Sequence, residues 1–158
     1  QGTVLQLLGH GLAKAAMFLA AANLVQRMGD DRVAGLAGAD TRAPLSTFAL
    51  ALAAVSLMGL PPSGGFAAKW RLLQGAWLQE AWWLVALLLV GSLLAAAYLF
   101  RVLAALLARP PAGAPLAGAA VSRTAEWAAL LLAVAAIALG FAGAPVLALG
   151  GFAEGGVP

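Results

Sequence analysis

The chain contains no cysteine and very little charge: Asp, Glu, Lys and Arg together make up 9% of its 158 residues. Without thiols there is no disulfide and no thiolate metal site. A single histidine and six scattered acidic residues leave little from which to build any other metal centre. Soluble domains carry about 25% charged residues, so this inventory cannot cover a water-facing globule. The net charge of +3 and the pI of about 10.2 come from nine Lys and Arg that are dispersed along the chain. Dispersed cations do not make a nucleic-acid interface. No paired carboxylates, nucleophile–base arrangement or phosphate loop stands out. Nothing in the chain is suited to flavin or iron–sulfur ligation, and no cofactor is expected.

What is abundant is apolar: 63% of residues are hydrophobic and the mean hydropathy is +0.96. The sequence therefore predicts an all-α, polytopic membrane helix bundle. Apolar segments long enough to cross about 30 Å of hydrocarbon run over residues 3–26, 44–77, 81–107 and 124–149. Trp82, Trp83 and Trp127 fall near predicted ends, where amphipathic rings favour the interface. Pro110, Pro111 and Pro115 mark a linker, and Pro145 is expected to kink or fray the end of the last span. Alanine and 19 glycines favour close helix contact, so these helices expect neighbours. The chain opens on Gln1 with no basic n-region or cleavage site. It reads as a piece beginning inside, or just before, a membrane helix.

Arg27, Arg32, Arg42, Arg109 and Arg123 fall on one predicted side, and Arg71 falls near the other. The positive-inside rule makes the first side cytoplasmic and places both ends of the chain outside.

The second apolar segment is too long. A straight helix from Pro44 to Trp77 would measure about 50 Å at 1.5 Å per residue. Within it lies Gly59-Leu-Pro61-Pro62-Ser63-Gly64-Gly65, which cannot continue a helix and predicts a discontinuous span. Irregular backbone at membrane depth is tolerated only where it is buried in protein or lines water. Lys69 follows closely. With the second half-helix restarting near Phe66, Lys69 would occupy its first turn, beside the positive end of its dipole. An ionisable group so placed is by default part of an ion or proton pathway. The alternative is an interfacial anchor, a description that suits Arg71 better.

Thr3, Gln6, His10 and Lys14 share one face of the first span. Lys14 is too deep to snorkel across about 15 Å, half the hydrocarbon thickness, so it must face protein or water. Its alternatives are a proton site or a structural partner for an acid on another helix. His10 lies one turn away, and histidine is the side chain that ordinarily exchanges its proton near neutral pH. Tyr98 and Arg101 lie a turn apart in the third span and read as structural, while Glu80 and Glu126 sit at predicted interfaces.

These motifs resemble the antiporter-like membrane subunits of respiratory complex I, with their relatives in multisubunit sodium/proton antiporters and membrane-bound hydrogenases. His10-Gly-Leu-Ala-Lys14-Ala-Ala-Met-Phe18 is similar to the family's His-x-x-x-Lys helix. Gly35-Leu36-Ala-Gly38 leading to Pro44 is similar to its following loop. Gly59-Leu-Pro61-Pro62-Ser-Gly64-Gly65-Phe66-Ala-Ala-Lys69 is similar to its broken helix. The resemblance implies a C-terminal piece of a proton-translocating subunit of an NADH:quinone oxidoreductase in the bacterial inner membrane. Lys14, His10 and Lys69 would form its proton path, and Pro61, Pro62, Gly64 and Gly65 its helix break. Partners would be other membrane subunits, the missing N-terminal half of the same subunit, the bilayer, and protons or sodium, with redox chemistry carried out elsewhere. A sodium/proton antiporter subunit, a hydrogenase subunit and a non-transporting structural bundle are the alternatives.

Overall fold

The structure, a computed structural model, describes residues 2–110 and 118–149. Every regular element among the described residues is helical: α1 (Gly2–Met28), a 3-10 turn (Val33–Leu36), α2 (Ala39–Arg42), α3 (Pro44–Met58), α4 (Gly64–Leu78), α5 (Trp82–Leu106) and α6 (Arg123–Leu149). Three helices are long and apolar enough to span a membrane: α1, α5 and α6, the last taken over Arg123–Gly143. The second span is made by α3 and α4 together. Each has 15 residues, or about 22 Å, too short to cross alone.

α3 and α4 are placed end to end along α1. Ala16, Ala20 and Leu24 of α1 share a core cluster with Ala49, Leu50 and Ala53 of α3. Further along α1, Gly9 lies against the backbone of Gly64 and Gly65, and Gly2 lies against Arg71 and Leu72 of α4. α6 completes the packing with Ala129 and Ala133 in the α1–α3 cluster and with Leu139 and Leu147 beside Leu5 and Ala68. Alanine recurs at three- and four-residue spacing on each helix, so the backbones meet closely where larger side chains would hold them apart. α5 stands at the edge: only Leu99 and Leu106 are buried. Between α4 and α5 lies an apolar cavity of about 670 Å³ lined by residues including Trp70, Trp77 and Leu89.

One expectation changes. The connection after α1 is not a plain loop, since it folds into the 3-10 turn and the one-turn α2. Asp30 supports that turn by accepting from the Arg32 N–H at 2.8 Å. α6 runs through Pro145 to Leu149, the end expected for the last span. Most of the expected proline-rich linker, residues 111–117, and Gln1 lie outside the described residues.

Candidate functional site

The break occupies residues 59–63, and each of its three backbone N–H groups, on Gly59, Leu60 and Ser63, is bonded to α3 or within the turn. α3 ends at Gly59, whose φ of 78° is the left-handed conformation open to glycine. There the Gly59 N–H donates to the Ser56 carbonyl at 3.1 Å and the Leu60 N–H to the Val55 carbonyl at 3.0 Å. This is a Schellman ending, which satisfies the carbonyls of two of the last four residues and leaves those of Leu57 and Met58. Lys69 takes up both: its Nζ donates to Leu57 O and to Met58 O, each at 3.0 Å. A side chain from α4 thus completes the end of α3.

The restart is equally determined. Ser63, fully buried, accepts from the Phe66 N–H at 3.2 Å as the N-cap of α4 and donates to Leu60 O at 2.7 Å. The Gly65 N–H reaches the buried Ser56 Oγ at 3.4 Å. The helix therefore restarts at Gly64 rather than near Phe66, and Gly64 and Gly65 belong to its first turn instead of to the irregular backbone. The reason is proximity. A Cβ on Gly65 would collide with the Ser56 carbonyl, and one on Gly64 would come within 2.9 Å of the Ala136 carbonyl of α6. Lys69 consequently sits in the second turn of α4. Its ammonium faces back to the negative end of the α3 dipole, not to the positive end of its own helix.

Thr3, His10 and Lys14 are exposed on α1 and Gln6 is half-buried, while the adjoining face, from Leu5 through Gly9 and Ala13 to Ala20, is buried. The stripe flanks the side of α1 from which Met17 packs on α3 and α5 residues. Lys14 Nζ lies 5.9 Å from the centroid of the Phe18 ring, a cation–π contact. Among the described residues it has no hydrogen-bond acceptor. Both Lys14 and Lys69 are close enough to His10 for their charges to act on it. The contact of Gly9 with Gly64 and Gly65 brings the His10 turn of α1 alongside the break, with Lys69 half-buried and His10 and Lys14 exposed. Among the described residues no three His, Cys, Asp or Glu side chains converge on a possible metal position.

Several contributors are not marked in the sequence. Ser56 and Ser63 look like ordinary small residues of an apolar run, yet they hold the turn. Gly140, on α6, allows the Pro62 carbonyl to lie where its Cβ would be. Among the described residues, the half-buried Gln6 has no partner for its Oε1. Asn23 on α1, with Ser46 and Thr47 on α3, also carries a buried polar atom without one. Asn23 lies between Ala20 and Leu24, and Ser46 and Thr47 lie between Ala43 and Ala49, stretches that meet in one core cluster.

An apolar helix bundle in which one helix is interrupted and restarted beside an ionisable side chain defines an integral membrane protein. Residues 1–95 match the family described as NADH:quinone oxidoreductase/Mrp antiporter, TM. The chain belongs to that family. It is 37% identical over 102 residues to NADH-quinone oxidoreductase subunit N of Desulforudis audaxviator, an alignment covering 65% of this chain and 20% of that protein. It is 29% identical over 79 residues to a Na(+)/H(+) antiporter subunit of Bacillus subtilis, covering 50% and 16% respectively. Its fold superimposes on a chain of respiratory complex I from Thermus thermophilus with a TM-score of 0.73 and 33% identity, over 99% of this chain and 35% of that one. The chain thus spans about a fifth of the length of these curated relatives.

Proposed function

We propose that this chain is the C-terminal part of a proton-translocating membrane subunit of a complex I-like NADH:quinone oxidoreductase, with Lys69 as its central proton carrier. The observation that carries the reading is the engagement of Lys69 with the interrupted helix. A lysine at membrane depth is costly, and here it is kept, half-buried, where the chain has given up helical continuity. His10, under the influence of both lysine charges, is the group suited to exchange protons between Lys69 and Lys14. Lys14 and His10 face the open side of α1, the side for the subunit's missing helices or a neighbouring subunit to cover. Buried polar atoms without protein partners on α1 and α3 call for water, and water there would extend the path toward the arginine-bearing end. That end is cytoplasmic in this reading, in a bacterial inner membrane, and redox chemistry belongs to other subunits.

The test uses the assembled complex in sealed vesicles. Lys69→Arg keeps a cation and donors for both carbonyls, but guanidinium does not release its proton. Lys69→Gln keeps two N–H donors and loses the charge. Both variants are expected to assemble and to lose most proton uptake at matched protein level. Full pumping by the arginine variant would overturn the carrier role. Alanine is less informative here, because it would leave the Leu57 and Met58 carbonyls unpaired at a cost of about 1–3 kcal/mol each.

The similarity to the Bacillus subtilis antiporter protein supports a second reading, a component of a sodium/proton exchanger. Uptake driven by a sodium gradient without any electron donor would favour it.

A further inference from the structure

At the end of the bundle opposite the α4–α5 connection, three arginines from three separate elements border one cavity. Arg27 closes α1, Arg42 closes α2 and Arg123 opens α6. With Pro44, Leu45, Val121 and Glu126 they line a space of about 320 Å³. Their convergence is built by specific bonds. The Ala119 N–H donates to Gln26 O at 2.9 Å and Gln26 Nε2 to Ala120 O at 2.9 Å, which ties the approach to α6 onto the end of α1. Arg27 Nε donates to Arg42 O at 3.3 Å and draws α2 against the same spot. The balance of charge is positive, three guanidiniums against the Glu126 carboxylate. Among the described residues none of the three arginines is engaged in an ion pair. The start of α3, at Pro44, has no side-chain cap, so its positive dipole end adds to the field.

We propose that this cavity binds the phosphodiester headgroup of an anionic phospholipid. Arginine suits that chemistry because its planar fork meets two phosphate oxygens at once. Basic pockets between membrane helices on the positive side are placed to receive such headgroups. The surface beneath supplies the rest of the molecule's needs. One turn in from Pro44, Phe48 is 56% exposed; one and two turns in from Arg123, Trp127 and Leu131 are 48% and 63% exposed. α3 and α6 are packed against each other, so these side chains offer an apolar track for acyl chains running down from the headgroup. A free phosphate would use the arginines and leave that track unused, which makes a lipid the better match.

The experiment uses the intact complex, purified and delipidated, with photoactivatable phosphatidylglycerol or phosphatidylcholine bearing the reactive group on an acyl chain. Labelled peptides are then mapped. Phosphatidylglycerol is expected to label residues 44–52 and 123–131, with phosphatidylcholine labelling them at least about tenfold less. Replacing Arg42→Gln and Arg123→Gln together should reduce the phosphatidylglycerol signal by a similar factor. The comparison of lipids on the unaltered complex stands even if that variant assembles poorly. Equal labelling by the two lipids would overturn the proposal, as would a signal unchanged by the substitutions. Complete displacement by millimolar inorganic phosphate would assign the cavity to a soluble anion instead. No labelling, with the arginines crosslinked to a neighbouring subunit's carboxylates, would assign it to a protein contact.

Discussion

Ser63 shows how much rests on a single hydroxyl. It caps α4 by accepting from the Phe66 N–H and, as a donor, ties the same turn to Leu60 O. Ser63→Ala removes both bonds from a fully buried position. It should destabilise the subunit by about 0.5–2 kcal/mol, the cost of a lost N-cap and of the Phe66 N–H it leaves unpaired. Thermal unfolding of the complex in detergent would measure this, and an unchanged transition would show that the cap contributes nothing. The serine was not legible as a cap in the sequence, because Pro-Pro-Ser-Gly-Gly reads first as a run of helix breakers. Propensity alone cannot say which of five such residues starts the next helix. Lys69 was legible as an unusual cation, but the direction of its side chain was not. The sequence places it beside its own helix N-terminus, and only the fold of the break turns its ammonium onto the preceding helix.

At the level of helices, the same residue type serves opposite ends. Gly140 of α6 accommodates the Pro62 carbonyl, whereas a Cβ added to Gly91 of α5 meets nothing within 4 Å. Gly91→Ala should therefore be neutral or stabilising by roughly 0.5–1 kcal/mol through helix propensity. Gly140→Ala should push α6 off the break and cost about 1–3 kcal/mol. Equal effects on unfolding temperature would refute this division between a free helix face and a packed one. The discontinuity of the second span was legible because its apolar length exceeds the bilayer and its middle holds two prolines. Its partner glycine was not, since a glycine among alanines in an apolar run carries no periodic signal of what approaches it. The helical turns between Val33 and Arg42 were also missed. They are too short to show a period, and they depend on Asp30 and on packing of Leu36 and Ala39 in the core.

On the scale of the whole molecule, the absence of cysteine provides a clean background for testing orientation. Asp31→Cys and Gln79→Cys place single thiols at exposed positions near opposite ends of the bundle. In oriented membrane vesicles, a membrane-impermeant maleimide should reach position 31 only from the cytoplasmic side and position 79 only from the outside. The reverse pattern would invert the topology assigned from the arginines. The membrane class and helix order were legible from composition and run length, because burial in lipid leaves its mark on every residue. The packing order was less so. Uniformly apolar helices have little amphipathic contrast, and only contacts reveal that α1, α3 and α6 form the centre while α5 lies to one side.

The two bonds from Lys69 to α3 have a further consequence, seen by counting hydrogens. An ammonium has three and no lone pair; a neutral amine has two and one lone pair. Two are committed to Leu57 O and Met58 O, and among the described residues the third meets no acceptor. Departure of that third hydrogen leaves both carbonyls still paired and exposes an electron pair in its place. Loaded and unloaded lysine can therefore share one backbone geometry. In the carrier role proposed above, what would pass from this position to its surroundings is a unit of charge rather than a change of shape.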